Sequence, residues 1–298
     1  MALNSTVLTN IVKKGTLNTF KQEFKRYEML YPKFSESVSS NAPSEDHTGI
    51  GATPEVTEFF DELKLGSVED YGYNVRNKEW AAAFKVSRAL VADQQMGQLN
   101  KRVRQMARKA ARAKDIRMAQ ILSSATGIKG YDGQNFFSTT HTSKGYKTAQ
   151  SNYVTDRNFN RNNVQTTIQE LMGFKDDQGE PIAQSNFYVI VPTVLYFDAL
   201  EAMRSVLLDG GGSNILVTEN IEIIKNPHLP TASTAAQSSW YVGSNDSEKP
   251  MIMQNREEIE FVSVDPKSSG NTALNWLFYT YGRYEAAVGE WRSIIRCR

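Results

Sequence analysis

The chain has 298 residues, which is long enough to bury a sizeable core and to divide into two lobes. Its 34 lysine and arginine residues balance 33 aspartate and glutamate residues, so its overall charge gives no sign of binding to nucleic acid or acidic ligands. The single cysteine, Cys297, excludes an intramolecular disulfide and a cysteine-rich metal site. No apolar run approaches the roughly 20 residues that span a bilayer, and residues 1–20 lack the continuous apolar region of a signal peptide. The composition therefore predicts a soluble protein made in the cytosol, with no membrane partner.

The first third of the chain reads as a helix, an arm and a hairpin. A short amphipathic helix is predicted before residue 30 by apolar residues at three- and four-residue spacing: Leu17, Phe20, Phe24 and Tyr27. Residues 35–53 are rich in Ser, Asn, Gly and Pro and are predicted to form an extended or flexible arm. From residue 54 to 86, short apolar clusters alternate with polar residues and favour strands or a long hairpin.

The strongest local signal is a long helix over residues 93–124, a stretch without proline and rich in Ala, Arg, Lys, Gln, Met and Leu. Its predicted buried stripe steps by four and three residues: Leu99, Val103, Met106, Ala110 and Ala113. At 1.5 Å per residue such a helix runs roughly 45 to 50 Å, long enough to span a domain.

The second half of the chain alternates helices and strands. Residues 127–163 read as a loop around Tyr131, Phe136 and Phe137. A helix is predicted at 163–174, with Val164, Ile168, Leu171 and Met172 on one face. A buried strand at 186–191 precedes a helix at 192–208, which Gly210–Gly212 end. Further strands are predicted at 215–217, 221–225, 239–242, 251–254 and 259–264, and residues 276–296 are predicted to return to the first lobe as strand. The fold class is therefore α+β.

The residues that carry chemistry form no recognisable site. The three histidines, His47, His141 and His228, lie far apart, and none belongs to a metal-binding pair. Gly210–Gly212 lacks the Lys and Ser or Thr that complete a phosphate-binding loop, and no Gly-x-Ser-x-Gly elbow exposes a nucleophile. The sequence predicts no catalytic residue, metal or cofactor, and hence no enzyme.

Charge is distributed very unevenly along the chain. From Lys101 to Arg117, eight basic residues stand against Asp115 alone, whereas from Glu55 to Asp70 six acidic residues stand against Lys64 alone. The basic helix face has three interpretations: a solvated surface, a nucleic-acid contact, or a contact between copies in which the acidic segment of one lies over the basic helix of another. We favour the third, because an arm, an extended acidic hairpin and an unpaired basic helix all suit a self-assembling shell.

The run Tyr131-Asp132-Gly133-Gln134-Asn135-Phe136-Phe137, followed by His141, resembles a signature of the major head subunits of Mu-like bacteriophages and prophages. Upstream residues are similar to the same family's pattern: Gly72-Tyr73, Asn77-Lys78, Ser87-Arg88, Asp93-Gln94 and Gly97. The resemblance covers about residues 71–141.

The resemblance implies a capsid fold of the Hong Kong 97 type. In that layout residues 1–53 form an N-terminal arm, 54–86 an extended hairpin called the E-loop, 87–165 with 266–298 a peripheral domain holding the spine helix, and 166–265 an axial domain. It further implies a homo-oligomer of hexamers and pentamers in the virion, around double-stranded DNA that basic residues contact without reading its sequence. Portal, scaffolding and decoration proteins are the implied partners, and the bacterial host cytoplasm is the implied place of synthesis.

Residue-level expectations follow from the charge pattern and the motif. Intersubunit contacts are expected at Glu58, Asp61, Glu62, Glu69, Asp70, Arg104, Arg108 and Arg112. In the motif, we expect Gly133 to permit a tight turn and the two phenylalanines to anchor the loop, so that Tyr131, Asp132, Gly133, Phe136 and Phe137 are structural. The alternatives are an encapsulin-type compartment shell, which would enclose protein cargo, and a basic-helix DNA-binding protein. A hydrolase would need a catalytic constellation that the sequence does not show.

Overall fold

The structure of the protein, a computed structural model, describes residues 5–50, 70–92, 96–142, 146–207, 211–232, 238–246, 248–266 and 275–298. Its α-helices are α1 (Ser5–Lys25), α2 (Arg88–Ala92), α3 (Met96–Ser124), α4 (Arg161–Met172) and α5 (Tyr196–Arg204). Its strands are β1 (Ser35–Ser39), β2 (Ser44–Ile50), β3 (Asp70–Arg76), β4 (Lys78–Ser87), β5 (Tyr153–Val154), β6 (Phe187–Val191), β7 (Glu222–Lys225), β8 (Trp240–Ser244), β9 (Met251–Val264), β10 (Asn275–Val288) and β11 (Ile294–Cys297). Within the described ranges, no helix is long and apolar enough to cross a membrane.

The first sheet has four strands in the order β1-β9-β10-β4, and α1 and α3 pack against it. Its two central strands, β9 and β10, are 14 residues each and pair antiparallel. The predicted stripe of α3 supplies the core on the helix side, because Leu99, Val103, Met106 and Ala110 are buried, while Ala113 is half-buried. Rings from α1 and the sheet complete this core: Phe20, Phe261, Trp276 and Phe278.

The second sheet has five strands in the order β5-β11-β8-β6-β7. Its strand β6 is buried at all five positions, as expected for a continuous apolar run in the middle of a sheet. Asn160 caps the start of α4, since its side chain accepts a hydrogen bond from the backbone N–H of Asn163. The helix packs against β8 and β11. Val164, Ile168 and Leu171 of α4 are buried, as predicted. Met172, the last residue of the helix, is 50% exposed, so the prediction that it lies on the buried face is wrong.

The arm and the hairpin differ from the prediction. Residues 35–39, predicted to be extended or flexible, are extended and fixed in the first sheet, since β1 pairs in parallel with β9; Phe34 beside it is 1% exposed. The hairpin strands are β2 and β3, joined antiparallel with Ser44 opposite Arg76, so the paired region begins before the expected residue 54. The last part of the expected hairpin, β4, pairs instead with β10 in the first sheet. These polar segments form strands because they pair with strands distant in the sequence. The hydrogen bonds of a sheet join backbone N–H and C=O groups, so polar side chains do not prevent them.

Two further strand predictions, at residues 215–217 and within residues 251–264, are corrected. Residues 215–217 form a 3₁₀ helix, because the side chain of Asn214 accepts a hydrogen bond from the Leu216 N–H and only Leu216 of the three is buried. The two strands expected at 251–254 and 259–264 form one strand, β9, whose pairing with β10 continues through a register shift near Arg283.

The C-terminal segment contributes one strand to each of the two sheets. The strand β10 returns to the first sheet, as predicted, whereas β11 enters the second sheet between β5 and β8. Both the expected arm and the expected axial domain, residues 166–265, contribute a strand to the first sheet, so sheet membership does not follow those boundaries.

Candidate functional site

The basic face of α3 is partly neutralised within the chain on the side that faces α1. The Nε of Arg108 donates to Oε1 of Glu23 at 2.7 Å, and this hydrogen bond holds the pKa of the Glu23 carboxyl below its usual value. The Nε of Arg112 donates to the carbonyl oxygen of Arg108 at 3.1 Å. Arg104 is exposed and lines a cleft between α1 and α3 together with Glu23. Of the three arginines expected at a subunit contact, Arg108 is thus already committed to a partner in its own chain.

Two further cations of α3 are engaged by the first sheet. Lys114 is 2% exposed, and its Nζ lies 2.7 Å from Oε2 of Glu258 on β9. Arg117 lies 2.5 Å from Oε1 of the buried Glu285 on β10. The expectation of a wholly unpaired basic helix is therefore wrong. In the described part of the chain, the α3 cations without an ion pair are Lys101, Arg102, Arg104, Lys109 and Arg112.

The acidic segment lies almost wholly outside the described residues. Glu58, Asp61, Glu62 and Glu69 belong to the undescribed range 51–69, and Asp70 is the first residue of β3. The predicted contact between these acidic residues and the arginines of α3 therefore lies outside the described residues and stays a prediction.

The motif loop is built around a turn at Gly133. Gly133 has φ of +77°, a conformation that glycine adopts without steric cost. Its N–H donates to the carbonyl oxygen of Gly130 at 3.1 Å, and the carboxylate of Asp132 accepts from the N–H of Gln134 at 3.1 Å. Beyond the turn, Phe136 is fully buried and Phe137 is 2% exposed, with their rings edge to face. The loop is therefore attached to the core by the two rings.

A buried histidine ties this loop to the C-terminal segment. The Nδ1 of His141 lies 2.6 Å from Oδ2 of Asp132, and its Nε2 lies 3.1 Å from Oδ1 of Asn152. The imidazole stacks on Trp291 with ring centroids 4.0 Å apart. Nδ2 of Asn152 donates to the carbonyl oxygens of Phe136 and Trp291 at 2.8 and 3.2 Å. The side-chain polar atoms of Asp132, His141 and Asn152 all have partners within the chain, which supports a structural role for this cluster.

Tyr131 belongs to a second cluster at the same junction. Its hydroxyl donates to Oε2 of Glu290 at 2.8 Å and accepts from Nη1 of Arg292 at 2.7 Å. Burial, together with the charge of Glu290, raises the pKa of the Tyr131 hydroxyl, so it stays protonated. Sequence reasoning missed Asn152, Glu290 and Arg292, because they join the motif only through the tertiary fold. In the described residues, no group of three or more His, Cys, Asp or Glu side chains could hold a metal ion.

Comparisons with known proteins match this architecture. A sequence model of the family described as Mu-like prophage major head subunit gpT matches residues 9–159 and 142–229. The Mu-like prophage FluMu major head subunit of Haemophilus influenzae is 26% identical over 127 residues, which are 43% of this chain and 41% of that relative. The major capsid protein of Escherichia phage Mu is 28% identical over 111 residues, 37% of this chain and 36% of that relative. The chain thus aligns with less than half the length of these two curated relatives.

The procapsid structure of bacteriophage JBD30 gives a TM-score of 0.56 at 16% identity, over 99% of this chain and 75% of that chain. With its paired hairpin, long helix and two sheets, the molecule has a phage capsid fold of the Hong Kong 97 type. The family match extends well beyond the motif region on both sides. The chain belongs to the family of Mu-like prophage major head subunits.

Proposed function

We propose that this chain is the structural major capsid subunit of a phage head and catalyses no reaction. Copies self-associate into hexamers and pentamers that close an icosahedral shell around double-stranded DNA. The observation that carries the proposal is the family match over residues 9–159 and 142–229, on a fold that is similar to a phage procapsid protein. Membership of a structural family also favours this function over an encapsulin-type compartment and over a basic-helix DNA-binding protein.

The proposal includes the layout expected from the resemblance: an arm at 1–53, an E-loop at 54–86, a peripheral domain at 87–165 with 266–298, and an axial domain at 166–265. The mature location is the virion, after synthesis in the bacterial host cytoplasm. Portal, scaffolding and decoration proteins are the proposed partners. Basic residues that have no ion pair among the described residues would contact the packaged DNA through its phosphates alone.

The proposed charge contacts between copies change in one respect. Glu58, Asp61, Glu62, Glu69 and Asp70 remain the proposed acidic side. Arg104 and Arg112 are better partners for them than Arg108, because Glu23 of the same chain already occupies Arg108. Each exposed pair contributes about 0 to 1 kcal/mol, so their combined effect depends on repetition around a capsomer.

Exposed apolar side chains support self-association independently of charge. Of the large apolar side chains exposed in the described residues, most lie on or beside α5: Val194, Phe197, Val206, Leu207 and Ile215. Phe197 alone is 76% exposed. This concentration of exposed apolar side chains around one short helix supports an interaction surface there.

The experiment is negative-stain electron microscopy, with mass photometry, on the purified 33.5 kDa protein across a salt series. We expect rings of hexamer or pentamer size, or closed shells. A monomer or dimer at every salt concentration, even with a scaffolding protein supplied, would contradict the proposal. Particles that co-purify with a cargo enzyme and no DNA would instead indicate a compartment shell. A small oligomer whose DNA affinity falls steeply with salt would indicate a DNA-binding protein.

A further inference from the structure

Two short connections join the β2–β3 hairpin to the first sheet. Residues 40–43 lead from β1 into β2, and Asn77 is the one residue between β3 and β4. The hairpin forms a two-stranded sheet of its own, whereas β1 and β4 belong to the first sheet. Asn77 is only 7% exposed, and its N–H donates to the carbonyl oxygen of Pro43 at 3.0 Å. The direction of the hairpin relative to the first sheet is therefore decided at these two connections.

The side chain of Asn77 bridges the hairpin and the sheet. Its Nδ2 donates to the carbonyl oxygen of Ala42 at 2.9 Å and to Oγ of Ser40 at 2.7 Å. Its Oδ1 accepts from Nε2 of Gln254 at 2.8 Å, and Gln254 is a fully buried residue of the central strand β9. Ser40 is held to the same strand, because its N–H donates to the carbonyl oxygen of Asn255 at 2.8 Å. One buried amide thus ties both connections to the middle of the first sheet.

Gln254 in turn contacts both strands of the hairpin. Its Nε2 donates to the carbonyl oxygen of Val75 on β3 at 3.2 Å, as well as to Asn77. Its Oε1 lies 2.7 Å from Nε2 of His47 on β2. Both kinds of polar atom in this buried amide therefore have partners. Losing these partners would leave buried polar groups without hydrogen bonds, so the contact resists displacement of either hairpin strand.

The donors and acceptors of this network permit one arrangement. A carbonyl oxygen can only accept, so Ala42 and Val75 require the two amides to turn their NH2 groups toward them. Oδ1 of Asn77 must then accept from Gln254, and Oε1 of Gln254 must accept from Nε2 of His47. Reversing either amide would bring two acceptors or two donors together. The amides therefore cannot adjust to a rotated hairpin by flipping, and a fully satisfied buried network of this kind specifies one geometry.

We propose that Asn77 and Gln254 are positioning residues that hold the β2–β3 hairpin at one angle to the first sheet. The inference concerns a single chain and goes beyond the proposed function. It also gives a role to Asn77 in the Asn77-Lys78 pair that the sequence pattern contains. The alternative is that apolar packing alone fixes the hairpin, since Tyr73 of β3 packs against the core.

The test measures a distance within one chain by pulsed electron paramagnetic resonance. Nitroxide labels are attached at Gly72→Cys on the hairpin and Gln105→Cys on α3, two exposed positions, in a Cys297→Ser background. An excess of unlabelled chain ensures that only distances within one chain contribute. This reference chain should give a narrow distance distribution. Asn77→Ala and Gln254→Met should each widen it roughly twofold or more, because each leaves buried polar groups of the network without partners.

Two matched variants separate positioning from a general loss of stability. Asn74→Ala makes the same change on the same hairpin, but Asn74 is exposed and donates to the exposed Asp46 at 2.8 Å, so the distribution should stay narrow. Gly243→Ala introduces a collision with the ring of Tyr188 in the second sheet and should also leave the distribution narrow. Circular dichroism and urea unfolding of every variant establish that it is folded and how stable it is.

The distance distributions decide between the two explanations. An unchanged distribution in folded Asn77→Ala and Gln254→Met would overturn the proposal and leave the packing of Tyr73 to hold the hairpin. Equal widening in Gly243→Ala would overturn it as well, because the hairpin would then follow overall stability. Ser40→Ala removes a single oxygen of the network and should widen the distribution to a smaller extent. It decides by the same criterion if an amide variant does not fold.

Particle formation gives a second readout, and this part alone rests on the proposed function. If only subunits with the hairpin in one direction can assemble, Asn77→Ala should raise the subunit concentration needed for particles roughly tenfold, and Asn74→Ala should leave it unchanged. Equal threshold concentrations for the two variants would contradict a role of the junction in assembly. An absence of particles from the unmodified chain would contradict the capsid function, while the distance measurement would still decide whether the amides position the hairpin.

Discussion

Asp115, a carboxylate buried in the middle of α3, holds the segment that follows α1, and its replacement by asparagine gives a quantitative test of that contact. The side chain is 1% exposed. It accepts hydrogen bonds from the Tyr27 hydroxyl at 2.8 Å, the Leu30 N–H at 3.0 Å and the Tyr31 N–H at 2.8 Å. These three donors replace the water that the carboxyl group loses on burial.

The expected loss follows from the change in the hydrogen bonds. In Asp115→Asn, the remaining oxygen can keep the bonds from the Leu30 and Tyr31 N–H groups, while the NH2 group that replaces Oδ2 can only donate, so the Tyr27 hydroxyl must turn and accept. A hydrogen bond to a charged group contributes about 1.5 to 3 kcal/mol and a neutral one about 0.5 to 1.5 kcal/mol, so each of the three contacts weakens by roughly 1 kcal/mol. We therefore expect the free energy of unfolding to fall by about 3 kcal/mol. Tyr27→Phe removes one donor only and should lower it by about 1.5 kcal/mol.

The assay is urea unfolding of the unassembled subunit at pH 7, followed by tryptophan fluorescence and circular dichroism. Coincident transitions would justify a two-state free energy. Glu201→Gln makes the same change of charge on an exposed position of α5 and should stay within about 0.5 kcal/mol of the unmodified chain. If Asp115→Asn is as stable as Glu201→Gln, the buried carboxylate does not hold the segment as argued.

Two other predictions concern local packing. Gly243→Ala should destabilise the protein by about 1 to 3 kcal/mol, because the added methyl group would collide with the ring of Tyr188. Gly15→Ala, in open space within α1, should instead stabilise it by about 0.5 to 1 kcal/mol, and equal effects of the two substitutions in the same urea assay would contradict both predictions. Burial raises the pKa of the Cys297 thiol to about 11, so at pH 8 a thiol reagent should label the folded chain at least roughly tenfold more slowly than the urea-unfolded chain. Comparable labelling rates would show that the thiol is accessible.

Patterns of short range were predicted well from the sequence. The stripe of α3 is buried because its residues recur with the period of a helix, and that period is independent of what the helix packs against. The buried strand β6 was predicted for a similar reason, since its apolar run is too short for a helix and ends at Pro192. Gly133 and the two phenylalanines of the motif lie in a turn and in the core, where their residue types are common.

The candidate site was less predictable, because residues distant in the sequence determine which of its charged side chains form ion pairs. Nothing around Arg108, Lys114 or Arg117 indicates that they meet Glu23, Glu258 and Glu285. The unpaired cations of α3 were therefore counted together with the paired ones. The groove between residues 80–84 of β4 and the helix α3 could not be predicted either, because it exists only where alanines from two distant segments face each other.

By itself the sequence determined the periodic elements, the separation of acidic and basic segments and, through its resemblance to a family, the class of fold. Only the tertiary structure decided that β1 pairs with β9, that β11 enters the second sheet and that His141 stacks on Trp291. The physical reason is range. Helix and strand periodicity repeats over a few residues, whereas strand pairing and burial of charge depend on which distant segments come together when the core closes.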